Sequence, residues 1–204
     1  QYSICEELEG DLLIAGDELT SLQHFSSLQT IHGSLMISIG LAEEESISTL
    51  ETIAGFDSLT QVEGDIVIEE NEQLIRVDGF SQLKEVHHLR ILGNPTLTEV
   101  NAFQQITTVS GSLDVSFNEN LLFFDLPQVE TIQEGFFLSN NRLSQGLGLF
   151  ENLEILYGDL SISYNLELTE IHSFPQIIRI KNMQHIFDQN GGGFSLIGNP
   201  QLTT

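Results

Sequence analysis

Histidine, cysteine, serine and acidic residues are the side chains most often used for catalysis or metal binding, and this chain places none of them in a recognised motif. Its six histidines form no HExxH motif, and its single cysteine, Cys5, leaves no CxxC pair for zinc. His87 and His88 are adjacent, but their place beside a predicted strand indicates surface or corner residues. The serines include no G-x-S-x-G elbow, and the glycine-rich phosphate loops are absent. The sequence therefore predicts a protein that is not an enzyme and holds no cofactor or metal.

Acidic residues dominate the charge, with 30 Asp and Glu against 6 Lys and Arg and a formal net charge of −24. Such a surface repels phosphates, so nucleic acid and anionic membranes are not expected partners. It can attract Ca²⁺, and the stretch 42–46 (AEEES) is the candidate site, although such a run is more often a solvated bulge. Carboxylate pairs for glycoside cleavage are easy to find among so many acids, which keeps a polysaccharide-acting enzyme as an alternative.

An internal repeat must position these side chains. The pattern apolar–x–Gly–x–apolar–x–apolar–x–x–Asn, as in VSGSLDVSFN, recurs about eight times. Its first strand position falls at Leu12, Leu35, Ile66, Leu89, Leu113, Phe136, Leu160 and Phe194. The successive spacings are 23, 31, 23, 24, 23, 24 and 34 residues. We therefore predict a period of 23 to 24 residues with insertions at about 41–48 and 181–191.

Three columns of the repeat predict how the copies stack. Gly stands two positions before the strand in six of eight copies, which indicates a corner that needs a positive φ or a close backbone approach. The position two residues into the strand is aliphatic in every copy, as expected of a buried face. Five positions after the strand start, six copies have Asn, namely Asn71, Asn94, Asn118, Asn141, Asn165 and Asn199. Because Asn both donates and accepts, we expect a buried ladder; the alternative is an Asn that serves only its own turn.

The segments between copies carry apolar residues at every third position, which favours 3₁₀-like turns or short extended sides over a long helix. An aromatic column, in which Leu126 replaces Phe once, comprises Phe25, Phe56, Phe80, Phe103, Phe150 and Phe174. We expect these rings to stack in the interior. The predicted fold is mainly β: a single right-handed parallel β-solenoid of about seven coils, covering residues 1–204, with an Asn ladder and a Phe stack.

The outward side of the predicted sheet is the candidate binding face. Strand alternation places two rows of side chains there, which mix apolar groups with single charges. The tentative ligand-binding residues are Met36, Val67, Glu69, Arg90, Leu92, Asp114 and Phe137. Apolar groups on a regular exposed sheet mark a contact surface, unless an insertion or a second copy covers them.

Four segments of the repeat resemble the receptor L-domain family: FSSLQTIHGSLMI, FDSLTQVEGDIVIEEN, FQQITTVSGSLDVSFNEN and FENLEILYGDLSISYN. The opening ICEELEGDLLIAG resembles the first strand of that family. The family includes ligand-binding domains of animal receptors, fungal cell-wall proteins and bacterial surface proteins, and its fold is a leucine-rich-repeat-like β-helix. The cysteines that staple the animal domains are missing here, which favours a bacterial surface protein over an animal receptor ectodomain.

The expected function is a non-catalytic binding or adhesion module, secreted or at the cell surface, that recognises protein or glycan. A purely structural component of the cell envelope is a further alternative to this and to the enzyme. The chain begins with Gln1 and not Met, and it contains no run approaching the roughly 18 apolar residues of a membrane helix, so we expect an exported, processed protein without a transmembrane segment. The architecture also allows a homodimer that covers a solenoid end or the sheet face.

Overall fold

The computed structural model describes residues 5–16, 19–38, 49–148, 150–171, 174, 179–180 and 194–203. Both predicted insertions lie outside this part of the chain. Within it, the only helical element is the 3₁₀ turn Gln23–Phe25. The strands in the described residues are β1 (Glu7–Leu8), β2 (Leu12–Ile14), β3 (Thr30–Ile31), β4 (Leu35–Ser38), β5 (Thr52–Ile53), β6 (Gln61–Val62), β7 (Ile66–Glu69), β8 (Arg76–Val77), β9 (Glu85–Val86), β10 (Leu89–Leu92), β11 (Glu99–Val100), β12 (Thr108–Val109), β13 (Leu113–Ser116), β14 (Thr131–Ile132), β15 (Phe136–Ser139), β16 (Ile155–Leu156), β17 (Leu160–Ser163), β18 (Arg179–Ile180) and β19 (Phe194–Ser195).

One long parallel sheet, the principal sheet, contains the strand of every predicted copy. Its order is β2-β4-β7-β10-β13-β15-β17-β19. Equivalent positions pair throughout: Leu89 of β10 lies opposite Ile66 of β7 on one side and Leu113 of β13 on the other. The predicted parallel β-solenoid is therefore confirmed, and the number of turns roughly matches the prediction.

The return segments form three smaller parallel sheets, with the orders β1-β3-β6, β11-β8-β5 and β18-β16-β14-β12-β9. Their strands are only two residues long, and single turns join them. Leu97 N–H donates to Asn94 O at 3.1 Å and Ile106 N–H donates to Phe103 O at 3.2 Å, each closing such a turn. The segments with an apolar residue at every third position therefore consist of turns and short extended strands, as predicted. No helix in the described part of the chain has the length and apolar character needed to span a bilayer.

Stacked rings fill the interior, as the aromatic column predicts. The rings of Phe25, Phe56, Phe80 and Phe103 follow one another with centroid separations of 5.4, 5.0 and 4.8 Å and near-parallel planes. The column continues at Phe150 and Phe174, which are 5.4 Å apart. Two rings join it that the sequence did not assign to it. Phe136 enters from the principal sheet, 5.1 Å from Phe150, and Phe124 lies 6.4 Å from the same ring.

The Asn column forms a continuous buried ladder. The backbone N–H and the Nδ2 of Asn94 both donate to Oδ1 of Asn118 at 3.1 Å. The Nδ2 of Asn118 donates back to the Ile91 carbonyl of the preceding coil at 2.9 Å. The same pattern links Asn71, Asn94, Asn118, Asn141, Asn165 and Asn199. Each amide therefore satisfies its own turn and the neighbouring coil together, and the ladder prediction is confirmed.

The Gly column is explained by close approach between coils. A Cβ at Gly158 would lie 1.1 Å from the Glu134 carbonyl oxygen, and a Cβ at Gly33 would lie 2.3 Å from Oδ1 of Asp11. Of the glycines in this column that the structure describes, only Gly10 has a positive φ, at 93°. The predicted corner is therefore correct, but contact with the preceding coil and not a left-handed backbone selects Gly there.

Candidate functional site

The principal sheet brings the seven tentative binding residues onto its outer face. Met36, Val67, Arg90, Asp114 and Phe137 lie side by side in one row, because each pairs with the next across the strands. Glu69 and Leu92 are neighbours in the second row. All seven side chains are half-buried. The apolar members are thus less exposed than alternation alone predicts, because neighbouring coils stand only about 4.8 Å away.

Asp114, near the centre of this face, is partly buried and hydrogen-bonded. Burial raises the pKa of Asp114, and this effect is opposed by a hydrogen bond from the Ser116 hydroxyl and by the positive charge of Arg90. The Ser116 Oγ donates to Asp114 Oδ1 at 2.5 Å and accepts from Ser139 Oγ at 3.0 Å. Asp114, Ser116 and Ser139 therefore form a short polar network beside the apolar side chains of the face, where it can present fixed hydrogen-bonding groups.

Phe137 lies back on the sheet and does not project from it. A Cβ at Gly135 would be 2.7 Å from Cε2 of Phe137, so the ring covers the bare backbone at that glycine. Some serines of the second row are more hidden than the alternation predicts: Ser38, Ser116 and Ser163 are all buried. Among the described residues, the hydroxyl of Ser38 has no hydrogen-bond partner.

A second polar column, at the corner entering each strand, was missed from the sequence. Asp11 Oδ1 accepts from the Ser34 N–H at 2.7 Å, and Ser34 Oγ accepts from the Asp65 N–H at 3.0 Å. Asp65 Oδ1 then accepts from the His88 N–H at 3.3 Å, and His88 Nδ1 from the Ser112 N–H at 2.8 Å. The column consists of the residues that directly follow the Gly positions of the repeat. It was not recognised because Asp, Ser and His share little except the ability to accept a hydrogen bond.

Asp65, His87 and His88 belong to this corner and are the described side chains that could together hold a metal ion. One ligand atom from each lies within 4.8 Å of the others. His87 Nδ1 is 2.8 Å from Asp65 Oδ1. Burial tends to raise the pKa of Asp65, but the hydrogen bonds from His87 and from the His88 backbone outweigh it and lower that pKa. His88 Nδ1 already accepts the Ser112 N–H, so a metal would have to displace a structural bond. The architecture alone accounts for this cluster.

A third column lies where the chain leaves each strand, and we term it the corner ridge. Its members share a left-handed backbone and are Glu70 (φ 55°), Gly93 (φ 62°), Phe117 (φ 60°), Asn140 (φ 54°), Tyr164 (φ 56°) and Gly198 (φ 71°). The side chains of Phe117 and Tyr164 are 58% and 52% exposed. Gly and Asn commonly adopt this backbone, whereas bulky aromatic residues rarely do, so the two rings gave no sequence signal of it.

An open groove of about 470 Å³ runs beside the ridge. Tyr164, Leu166 and Asn140 line one part of it. The polar remainder includes Glu119, Asn120, Asn141, Arg142 and Glu167. Arg142 Nε donates to Glu167 Oε2 at 3.1 Å, so the cation of the groove is already paired with a carboxylate.

Comparison with known proteins relates the chain to a fungal cell wall mannoprotein. No family model matches the chain, and no solved structure matches it. Cell wall mannoprotein PST1 of Saccharomyces cerevisiae, in strains YJM789 and S288c, is 29% identical over 229 aligned residues. The match covers 91% of this chain and 48% of the relative, so the chain spans about half the length of the curated relatives it matches.

This relationship supports the extracellular or cell-surface location predicted from the sequence. The relative is fungal, which is one of the groups named with the L-domain resemblance. Membership of the receptor L-domain family itself stays a prediction, because no family model matches. The acidic stretch 42–46 lies outside the described residues, so the Ca²⁺ alternative also stays a prediction.

Proposed function

We propose that this chain is a non-catalytic module of the cell surface that binds a wall glycan through the outer face of its principal sheet. The observation that carries the proposal is the aligned row Met36, Val67, Arg90, Asp114 and Phe137, in which two adjacent charged residues are flanked by apolar ones across neighbouring strands. A mixed surface of this kind suits a sugar, which offers both C–H faces and hydroxyls. The similarity to a cell wall mannoprotein supports a glycan-rich setting.

The acids of the face do not resemble a hydrolytic pair. Asp114 and Glu69 lie in different rows and two coils apart, with β10 between their strands. The other described carboxyl whose pKa is raised, Asp125, lies on a return segment, where burial raises the pKa and a hydrogen bond from Gln104 opposes it. A glycosidase needs two carboxyls facing one bond from opposite sides. These positions favour binding over cleavage.

A glycan and protein array with the isolated chain tests the proposal. We expect binding to a wall glycan, and we expect Arg90→Ala and Phe137→Ala each to weaken it by about tenfold. Arg76→Ala and Phe123→Ala are matched controls, because they remove the same residue types from the return segments.

The alternatives give different results in the same experiment. Capture of a protein and no glycan would replace the proposed ligand class. Polysaccharide cleavage that is lost when surface acids are replaced would indicate the enzyme. Binding that survives both face variants would show that the face is not the site. A chain that binds neither class would be a purely structural component of the envelope, and a homodimer through the face would appear as a mass doubling that Phe137→Ala reverses.

A further inference from the structure

The exposed aromatic residues of the corner ridge occupy equivalent positions in the stack. The backbone N–H of Phe117 donates to Ser139 O at 2.9 Å, that of Asn140 to Ser163 O at 3.1 Å, and that of Tyr164 to Ile197 O at 2.8 Å. Each residue therefore stands one coil from the next. With about 4.8 Å between adjacent strands, Phe117 and Tyr164 are roughly 10 Å apart with Asn140 between them.

The architecture does not require aromatic residues at these places. Gly93 and Gly198 fill the same position with the same left-handed backbone, and so does Asn140. A bulky residue at positive φ is strained, and neither ring recovers that cost by burial, since more than half of each side chain is exposed. Strain that serves neither the fold nor the core indicates a role at the surface.

The ring of Tyr164 is also held in place. A Cβ at Gly198 would lie 2.4 Å from Cδ1 of Tyr164, so the ring rests on the bare backbone of the next coil. A ring fixed in this way offers a flat apolar contact whose conformational entropy has already been lost, which favours binding. Asn140 contributes an amide beside it, and its Nδ2 lies 3.4 Å from Ser139 Oγ.

Charge disfavours an acidic ligand at this groove. The Arg142 guanidinium is paired with Glu167, and Glu119 adds a further carboxylate to the groove. The chain as a whole has a net charge of −24. An acidic polysaccharide would meet repulsion here, whereas hydroxyl and amide groups can bond to Asn120, Asn140 and the carboxylates.

From these observations we infer that the ridge residues Phe117, Asn140 and Tyr164, with the adjoining groove, form a binding site for an extended, neutral, β-linked polysaccharide. Alternate sugars of an extended β-1,4-linked chain turn the same face to one side, so two rings separated by two coils contact every second sugar and Asn140 bonds to the sugar between them. The inference rests on the proposed function, a surface module that binds glycan, and adds a site beside the sheet face.

The test is titration of the chain with chitohexaose and laminarihexaose, followed by calorimetry and by NMR. We expect chitohexaose, which is β-1,4-linked, to bind more tightly than β-1,3-linked laminarihexaose, with the largest shifts at Phe117, Asn140 and Tyr164. We expect Phe117→Asn and Tyr164→Asn each to weaken binding by about tenfold. Both variants keep or raise the melting temperature, because Asn accepts the left-handed backbone. The control is Glu70→Asn, which introduces the same residue at a left-handed position of the same column, away from the rings.

Three outcomes would overturn the inference. Equal affinity for maltohexaose, an α-linked hexamer, would remove the β-linked specificity. Wild-type affinity in both ridge variants, together with loss in Phe137→Ala, would leave the proposed function standing and move the site to the sheet face. Absence of binding to every hexasaccharide would exclude the ridge as a glycan site, and the array experiment would then decide the proposed function separately.

Discussion

Asn118 shows how one side chain serves two coils. Its Oδ1 accepts the backbone and side-chain N–H groups of Asn94, and its Nδ2 reaches the Ile91 carbonyl and Oδ1 of Asn141. The residue is fully buried, so none of these groups can turn to water if the side chain is removed. Few other residues could replace it, because both a donor and an acceptor are needed at one site.

We therefore expect Asn118→Ala to lower the free energy of unfolding by about 3 kcal/mol or more, since it leaves several buried groups without partners. Urea denaturation measures the change. Asn120→Ala is the control, because Asn120 is exposed and donates only to the Pro95 carbonyl; it should cost less than about 1 kcal/mol. Equal costs for the two variants would mean that the ladder contributes nothing beyond a turn.

The contribution of Asp114 to the stability of the fold depends on pH. Burial raises its pKa in the folded state above the ordinary 3.8, against the opposing effects of Ser116 and Arg90. The folded state then binds the proton more tightly than the unfolded state does. Its contribution to stability is present below pH 3.8 and is lost as the pH rises through the folded-state pKa.

Asp114→Asn should abolish this loss. We expect the stability of the variant, relative to wild type, to increase as the pH rises from below 3.8 into the range where Asp114 ionises. Unfolding free energies measured for both proteins at matched pH values give the difference, in which the titration of the other carboxyls, including Asp125, cancels. A difference that is constant with pH, or that falls, would contradict the raised pKa.

At the scale of elements, the corners decide how closely coils can stack. Gly158 touches the backbone of the preceding coil, whereas Gly146 has φ 94° and open space where a Cβ would be. The two glycines thus separate two reasons for the same residue type, contact in one and backbone conformation in the other.

Gly158→Ala should cost about 3 kcal/mol or more, because the new methyl group must push two backbones apart. Gly146→Ala should cost about 1 kcal/mol, the penalty of a left-handed backbone alone. Thermal unfolding of the pair measures the difference. If Gly146→Ala were the more damaging, conformation and not close approach would govern the corners.

The elements also show what the sequence could reveal. The strands, the Asn ladder and most of the Phe stack followed from residue type, because a repeated position with one chemical demand keeps one kind of side chain. The acceptor column through Asp65 and His88 was missed, because Asp, Ser and His can all accept the same hydrogen bond.

The ridge at Phe117 and Tyr164 was missed for another reason: a left-handed backbone cannot be recognised from the sequence when the residue is not Gly or Asn. The half-burial of Met36 and Phe137 depends on distances between coils, which alternation cannot supply.

In the described part of the chain the coils stack on one another, so charges on one coil act on those of the next. The net charge is −24, and Glu130 and Glu154, for example, lie one coil apart, because the Glu154 N–H donates to Glu130 O at 3.0 Å. Repulsion between such charges opposes the stack at low ionic strength. Salt screens it, since the Debye length falls from about 30 Å at 0.01 M to about 8 Å at 0.15 M.

We expect the melting temperature at pH 7 to rise by about 2–4 °C over that range of NaCl, equivalent to about 1 kcal/mol for a chain of this size. Calorimetry at several salt concentrations measures the shift. Near the sequence pI of about 4.2, where the net charge vanishes, the dependence should disappear. A melting temperature that falls with salt at pH 7 would show that attractive ion pairs outweigh the repulsion.

The Asn ladder restricts how the length of this chain can evolve. Each rung accepts from the coil before it and donates to the coil after it, so a single residue added between a strand and its Asn would put that Asn out of step with both neighbours. A whole extra coil would only add a rung. The spine therefore tolerates two kinds of length change: the gain or loss of one complete repeat, and an insertion between rungs such as those that give the spacings of 31 and 34 residues.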